Sequence, residues 1–92
     1  MIVRIMGEGQ YRLGEETVER VNALDNDAVA AVEGDDEDAF HVAFEQLLEL
    51  IRTEGEHLHD DDLEASDIIV PPADITFVEA AKDFTGDGLI PD

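Results

Sequence analysis

The sequence predicts a small, single-domain α+β protein, and three observations point to that class. The length of 92 residues is enough for one small domain and too short for two. Apolar residues make up 43% of the chain, more than a disordered acidic segment contains. The hydrophobic pattern also changes along the chain, from short β-branched runs to long stretches with helical spacing. We therefore expect an N-terminal β-hairpin, an αα-hairpin of two amphipathic helices, a third strand near residues 66–70 and a short C-terminal helix.

The N-terminal residues are predicted to form the β-hairpin. Ile2–Met6 is apolar and rich in β-branched side chains, and Gln10–Leu13 is a second strand-like run. The intervening Gly7–Gly9 supplies two glycines that suit turn positions with positive φ. Arg4 and Arg12 are expected to lie near each other on this hairpin and to form a local basic spot.

The first helix is predicted after Gly14. Its apolar residues recur at helical spacing and form one stripe: Val18, Val21, Leu24, Ala28, Val29 and Val32. Asp25–Asp27 contains poor helix formers, so a kink or restart is expected there. Gly34 is a candidate for the C′ position that ends the helix.

The second helix has the clearest pattern in the chain. Asp35–Asp38 offers N-cap residues, and Gly55 is expected to end the helix. The apolar positions between them follow helical periodicity closely: Phe40, Ala43, Phe44, Leu47, Leu48 and Ile51. Two amphipathic helices joined near Gly34 predict an αα-hairpin.

The remaining segments are shorter. His57–Ala65 is predicted to be a polar loop anchored by Leu58 and Leu63, and Ile68–Val70 a strand terminated by two prolines. A last helix is expected to be capped by Asp74 or Thr76. Its inward-facing residues are predicted to be Phe77, Val78, Ala81 and Phe84. Leu89–Ile90 is a candidate edge strand after a glycine turn.

The net charge of −20, from 25 acidic and 5 basic residues, excludes several functions. Such a field repels nucleic acid phosphates and anionic lipid head groups, so direct binding to either is not expected. Lys82 is the only lysine. We interpret the acidity as adaptation to a salt-accumulating halophile, because molar salt shortens the Debye length to about 3 Å and screens the repulsion. The alternative is an acidic regulator from an ordinary cell. The fold is predicted to loosen or unfold below molar salt.

Targeting signals and cysteines are also lacking. No apolar run is long enough to cross a membrane, and no signal-peptide core is seen, so a cytoplasmic location is expected. The chain contains no cysteine, which excludes disulfides and thiol catalysis.

Two segments resemble metal-binding sequences. Asp83–Ile90 matches the first eight positions of an EF-hand loop, with Asp83, Thr85 and Asp87 as oxygen ligands. The twelfth position, which needs a bidentate Glu, falls beyond Asp92. His57 and His59 precede three aspartates, but a solvated acidic loop explains this pattern better than a zinc site. We predict no metal or cofactor, and keep a calcium- or zinc-responsive sensor as the alternative function.

No catalytic arrangement is apparent. His41 lies beside the apolar stripe of the second helix and is interpreted as structural. No nucleophile elbow, acid/base pair or phosphate-binding glycine loop occurs. The protein is therefore predicted not to be an enzyme.

Several segments resemble the PspA-associated protein (PspAA) family, in order over essentially the whole chain. They are Met1–Leu13, Asn22–Asp25, Asp60–Leu63, Ser66–Asp74 and Gly88–Pro91. The most specific parts are the GQYRL and SDIIVPPAD pieces. The resemblance implies a single PspAA-like domain over residues 1–92.

The same resemblance implies a role in the phage-shock envelope-stress system of archaea and actinobacteria. Members of this family are small cytoplasmic proteins associated with PspA, a coiled-coil protein that remodels stressed membranes. Membrane contact would then be indirect, through PspA, and self-association is a further possibility. The family supplies no catalytic residues to transfer. Tyr11 and Arg12 are our candidate partner-binding residues, because Tyr and Arg are enriched at interface hot spots.

Overall fold

A four-stranded sheet carries the N-terminal hairpin at its centre. The computed structural model describes residues 1–58, 65–84 and 88–89. Strands β1 (Ile2–Ile5) and β2 (Gly9–Arg12) pair antiparallel, as predicted, and Gly7 and Gly9 take positive φ of 85° and 121°. This confirms the hairpin and explains the two glycines, because other residues rarely adopt that backbone region.

The other two strands flank the hairpin, in the order β3-β2-β1-β4. Strand β4 (Ile68–Val70) lies where the sequence predicts it and pairs in parallel with β1. Strand β3 (Glu56–His57) pairs antiparallel with β2. The prediction of a loop from His57 onward was therefore wrong at its first residue. The two residues of β3 are polar and exposed, so the sequence shows no strand pattern there. Pairing with β2 determines their extended conformation.

Helix α1 (Glu15–Glu33) is continuous, so the expected kink at Asp25–Asp27 is wrong. Asp25 points into the protein and is fully buried, and its carboxylate accepts a hydrogen bond from the Leu89 N–H at 2.9 Å. This tertiary contact outweighs the weak local preference of the residue against helix. The predicted stripe is confirmed, with Val21, Ala28 and Val29 buried.

The end of α1 differs from the prediction by one residue. Gly34 has a φ of −86° and is the C-cap residue. Asp35 is the C′ residue and takes the left-handed conformation with a φ of 54°. The N–H of Asp35 donates to the Val32 carbonyl and that of Asp36 to the Ala31 carbonyl, which is a Schellman motif. Aspartate tolerates this backbone region better than most residues.

Helix α2 (Glu37–Glu54) confirms its prediction in full. Asp36 caps it by accepting from the Ala39 N–H at 3.1 Å, and all six residues of the predicted stripe are buried. Gly55 ends the helix. A Cβ at that position would lie 2.5 Å from the Ile51 carbonyl oxygen and 2.9 Å from the Leu13 side chain, so the turn into β3 needs a glycine.

Helix α3 (Phe77–Asp83) is capped by Thr76, whose hydroxyl accepts from the Glu79 N–H. Its inward face is shifted from the prediction. Ala80 and Phe84 are fully buried, while Val78 is 73% exposed and does not face inward. A helix of 7 residues offers too few apolar positions to fix its phase from the sequence. Leu89 lies at a bend and not in a strand, and Leu63 and Ile90 lie outside the described residues.

The core is one cluster that joins the inner face of the sheet to the helices. All four phenylalanines contribute to it, and Phe40 is the centre, with ring centroids 5.2–5.7 Å from Phe44, Phe77 and Phe84. Edge-to-face and offset rings at this spacing add to the burial energy. The fold is thus α+β, as predicted, and the structure adds that the sheet and the helices form two layers.

Candidate interaction surface

The outer face of the sheet, directed away from the core, carries the candidate interaction surface. Side chains alternate between the two faces of a strand, so Val3 and Ile5 enter the core and Arg4 points outward. The antiparallel register pairs Arg4 with Gln10 and Ile2 with Arg12, which places all four on the outer face. Arg4 and Arg12 are one diagonal step apart in this register.

Tyr11 and Arg12, the predicted partner-binding residues, occupy opposite faces of β2. Tyr11 is only 9% exposed and belongs to the core, with its ring centroid 4.9 Å from that of His57 on β3. Arg12 is exposed and reaches Glu56 across the β2–β3 pair at 3.8 Å. Arg12 is therefore accessible on the outer face, while Tyr11 is buried on the inner face and is not exposed for direct contact, contrary to the prediction for that residue.

Beside Arg4 lie two exposed apolar side chains. The parallel register sets Arg4 opposite Ile69 of β4, and Ile69 is 58% exposed. Met6 follows β1, donates its N–H to the Val70 carbonyl at 3.0 Å and is 51% exposed. The alternation places Met6 on the same face as Arg4. We call Arg4, Met6 and Ile69 the Arg4 patch.

Part of the outer face is covered by the chain itself. Gln10 is buried there, and its side-chain amide donates to the Ser66 hydroxyl at 2.7 Å. Leu58 is also buried but does not belong to the main core cluster, and its N–H donates to the Gln10 carbonyl at 2.9 Å. This confirms the prediction of Leu58 as an anchor. The covered area lies over β2, whereas Ile69 of β4 remains exposed.

An ion pair fixes the hairpin turn to helix α2. The Arg52 guanidinium donates two hydrogen bonds to the Glu8 carboxylate, at 2.8 and 2.5 Å. These bonds lower the pKa of Glu8 below its ordinary value of 4.5 and raise that of Arg52. The fork geometry of arginine suits such bidentate pairing, which holds the turn in a defined orientation.

Two segments that carry the family resemblance meet inside the fold. Asp25 of the Asn22–Asp25 segment accepts from Leu89 of the Gly88–Pro91 segment. Gly88 has a φ of 77°, and a Cβ there would lie 2.7 Å from both Asp25 carboxylate oxygens. The glycine thus allows the C-terminal segment to approach the carboxylate closely.

The candidate metal ligands are not brought together in the part of the chain that the structure describes. His57 packs on Tyr11, and Asp83 is exposed at the end of α3. His59, Thr85 and Asp87 lie outside the described residues. Among residues 1–58, 65–84 and 88–89, no three His, Asp or Glu side chains group in a way that could hold a metal ion. His41 lies at the edge of the Phe40 ring and 3.6 Å from Glu37, beside the core stripe.

The sequence interpretation missed the Arg4 patch. The strict alternation in Ile2–Ile5 could have placed Arg4 on the outer face. The parallel pairing that sets Ile69 beside it joins residues 65 positions apart and leaves no local signal.

Within the described residues, no helix is both long and apolar enough to cross a membrane.

These features define a two-layer α+β domain with one packed and one partly exposed sheet face. The chain belongs to the PspA-Associated protein (PspAA) family, whose model matches residues 1–92. This match confirms the family resemblance seen in the sequence. Comparison with curated proteins and with solved structures found no match.

Proposed function

We propose that this protein is a non-catalytic accessory of PspA in the membrane-stress response and acts through protein–protein contacts. The observation that carries the proposal is the family match over the whole of residues 1–92, since the family is described as PspA-associated. The exposed side chains of the outer sheet face support it, because they offer a contact surface that the core does not need.

The charge of the chain supports an indirect route to the membrane. A net charge of −20 opposes binding to anionic lipid and to nucleic acid. We therefore propose that the protein resides in the cytoplasm and reaches the inner face of the membrane only when PspA carries it there. Arg12 is the proposed contact residue on β2, with Tyr11 supporting it from the core.

Direct binding to purified PspA from the same cell tests this function. Because the chain has no cysteine, a single Ala30→Cys substitution on the exposed side of α1 accepts one fluorescent label. We expect saturable fluorescence anisotropy on titration with PspA in molar KCl. Absence of binding across micromolar PspA would contradict the proposal.

Vesicle co-sedimentation tests the indirect route separately. We expect the labelled protein alone to stay in the supernatant with anionic vesicles and to sediment when PspA is added. Sedimentation without PspA would show direct lipid binding and contradict this part of the proposal.

A further inference from the structure

Arg4 stands apart from the other arginines in its ionic contacts. Arg12, Arg20 and Arg52 each lie within 4.0 Å of a glutamate carboxylate. In the described part of the chain, Arg4 has no such partner, although the sequence contains 25 acidic residues. The nearby Asp67 carboxylate accepts instead from the Ile2 N–H at 2.8 Å. Within residues 1–58, 65–84 and 88–89, the Arg4 guanidinium therefore forms no ion pair that would compete with a carboxylate from another molecule.

Lys82 also lacks a carboxylate partner among the described residues, but its position has a local explanation. It lies in the last turn of α3, where a cation interacts favourably with the helix carbonyl end. Arg4 lies in the middle of β1 and has no helix end beside it. Among the described residues, neither an ion pair nor a helix end therefore accounts for its position.

The residues next to Arg4 make the surface around it partly apolar. Ile69 stands directly opposite Arg4 in the β1–β4 register, and Met6 lies on the same face, both about half exposed or more. Two exposed apolar side chains around an arginine, on a surface dominated by carboxylates, form a local exception to the surface composition. An interface of this kind suits a partner with apolar side chains flanked by acidic ones.

We propose that the Arg4 patch binds an amphipathic helix of PspA that presents carboxylates beside its apolar stripe. The inference rests on the proposed function, since PspA is the partner named there. The net charge of −20 opposes an acidic partner at long range, but molar salt screens that repulsion beyond about 3 Å. At contact distance the positive charge of Arg4 favours an acidic partner segment. A helix fits better than an added strand, because the patch is made of side chains on the sheet face. Strand β4, at the edge, has only three residues and is followed by Pro71 and Pro72, which limits strand addition.

Charge reversal at Arg4 tests the proposal in the PspA titration described above. Arg4→Glu places like charges face to face, and we expect affinity to fall about tenfold or more. Arg20→Glu is the matched control, because it makes the same charge change at an exposed arginine on helix α1. We expect its affinity to stay within about twofold of the original protein.

Two further variants keep the test valid if Arg4→Glu folds poorly. Arg4→Gln removes the charge without adding an acid, with Arg20→Gln as its control. Ile69→Ser removes the exposed apolar group and is expected to weaken binding without changing the circular dichroism spectrum or the Tm. All measurements are made in molar KCl, where each variant is first checked for folding.

Each outcome of these titrations supports or overturns the proposed binding at the Arg4 patch. Selective loss of binding in the Arg4 and Ile69 variants supports the patch. Equal loss in the Arg4 and Arg20 variants indicates a general charge effect and overturns it. Unchanged binding in all variants overturns the patch while leaving the proposed function intact. Failure of the unmodified protein to bind PspA overturns both, and is recognised before any variant is made.

Discussion

The two faces of the β-sheet differ in what a substitution there would cost. The inner face carries Val3, Ile5 and Val70, all nearly inaccessible to solvent and packed against the helices. The outer face carries Arg4, Arg12 and Ile69, which are exposed. The inner face therefore holds the domain together, while the exposed positions of the outer face can change with little loss of stability.

The largest effect is expected from removing salt, because the inner face must hold the domain together against repulsion among the surface carboxylates. At about 0.1 M salt the Debye length rises to about 10 Å and neighbouring carboxylates repel each other. We expect loss of helical circular dichroism, or a lower Tm, on dialysis from molar KCl. An unchanged spectrum and Tm would show that core packing alone is sufficient and would contradict the prediction.

The next largest effect compares one isoleucine from each face. Ile5→Ala removes a fully buried side chain, and we expect the free energy of unfolding to fall by about 2–5 kcal/mol. Ile69→Ala on the outer face is the control, with an expected change within about 0.5 kcal/mol. Urea unfolding in molar KCl measures both. Similar losses of unfolding free energy for the two variants would contradict the proposed difference between the two faces.

A smaller effect is expected where the C-terminal segment docks on Asp25. Gly88→Ala forces a left-handed alanine and brings its Cβ against the carboxylate, and we expect a loss of about 1–2 kcal/mol. Gly14→Ala is the control, because its φ is −78° and nothing lies within 4 Å of an added Cβ. Equal unfolding midpoints for the two variants would show that residues 88–89 add little to the core.

The smallest effect is expected at the ion pair that joins the hairpin turn to α2. The pKa of Glu8 is lower in the folded than in the unfolded chain, so the pair stabilises the fold above the unfolded pKa. This contribution is lost as pH falls through the lower, folded value. We therefore expect the stability difference between the original protein and Glu8→Gln to shrink as pH falls below about 4.5.

The control for the ion pair is Glu45→Gln, which removes an exposed carboxylate from α2. Glu45 makes no ion pair within the residues described above. Unfolding is followed from pH 6 to pH 3 in molar KCl. A Glu8→Gln difference that is constant with pH would rule out a role of the ion pair in stability.

Local patterns predicted much of the fold. The β-branched runs around Gly7–Gly9 gave the hairpin, and the long stripe from Phe40 to Ile51 gave α2, because each pattern repeats often enough to exclude another structure. Strand β3 could not be predicted, since it consists of two polar residues ordered by pairing with β2. Of the candidate surface, the sequence predicted the basic spot of Arg4 and Arg12. It could not place Ile69 beside Arg4, because these two residues become neighbours through a long-range strand pairing.

The sequence by itself determined the α+β class, the family, the acidic surface and the residues that form the core of α2. Periodicity and turn chemistry depend on residues close together in the sequence, so they can be recognised without knowledge of the fold. Only the tertiary structure decided that Asp25 is buried within an unbroken helix and that Ala80, not Val78, faces inward. It also decided that Arg4 lies beside Ile69 and, among the described residues, makes no ion pair. These outcomes depend on contacts between residues far apart in the sequence, whose energies outweigh local preferences once the elements pack together.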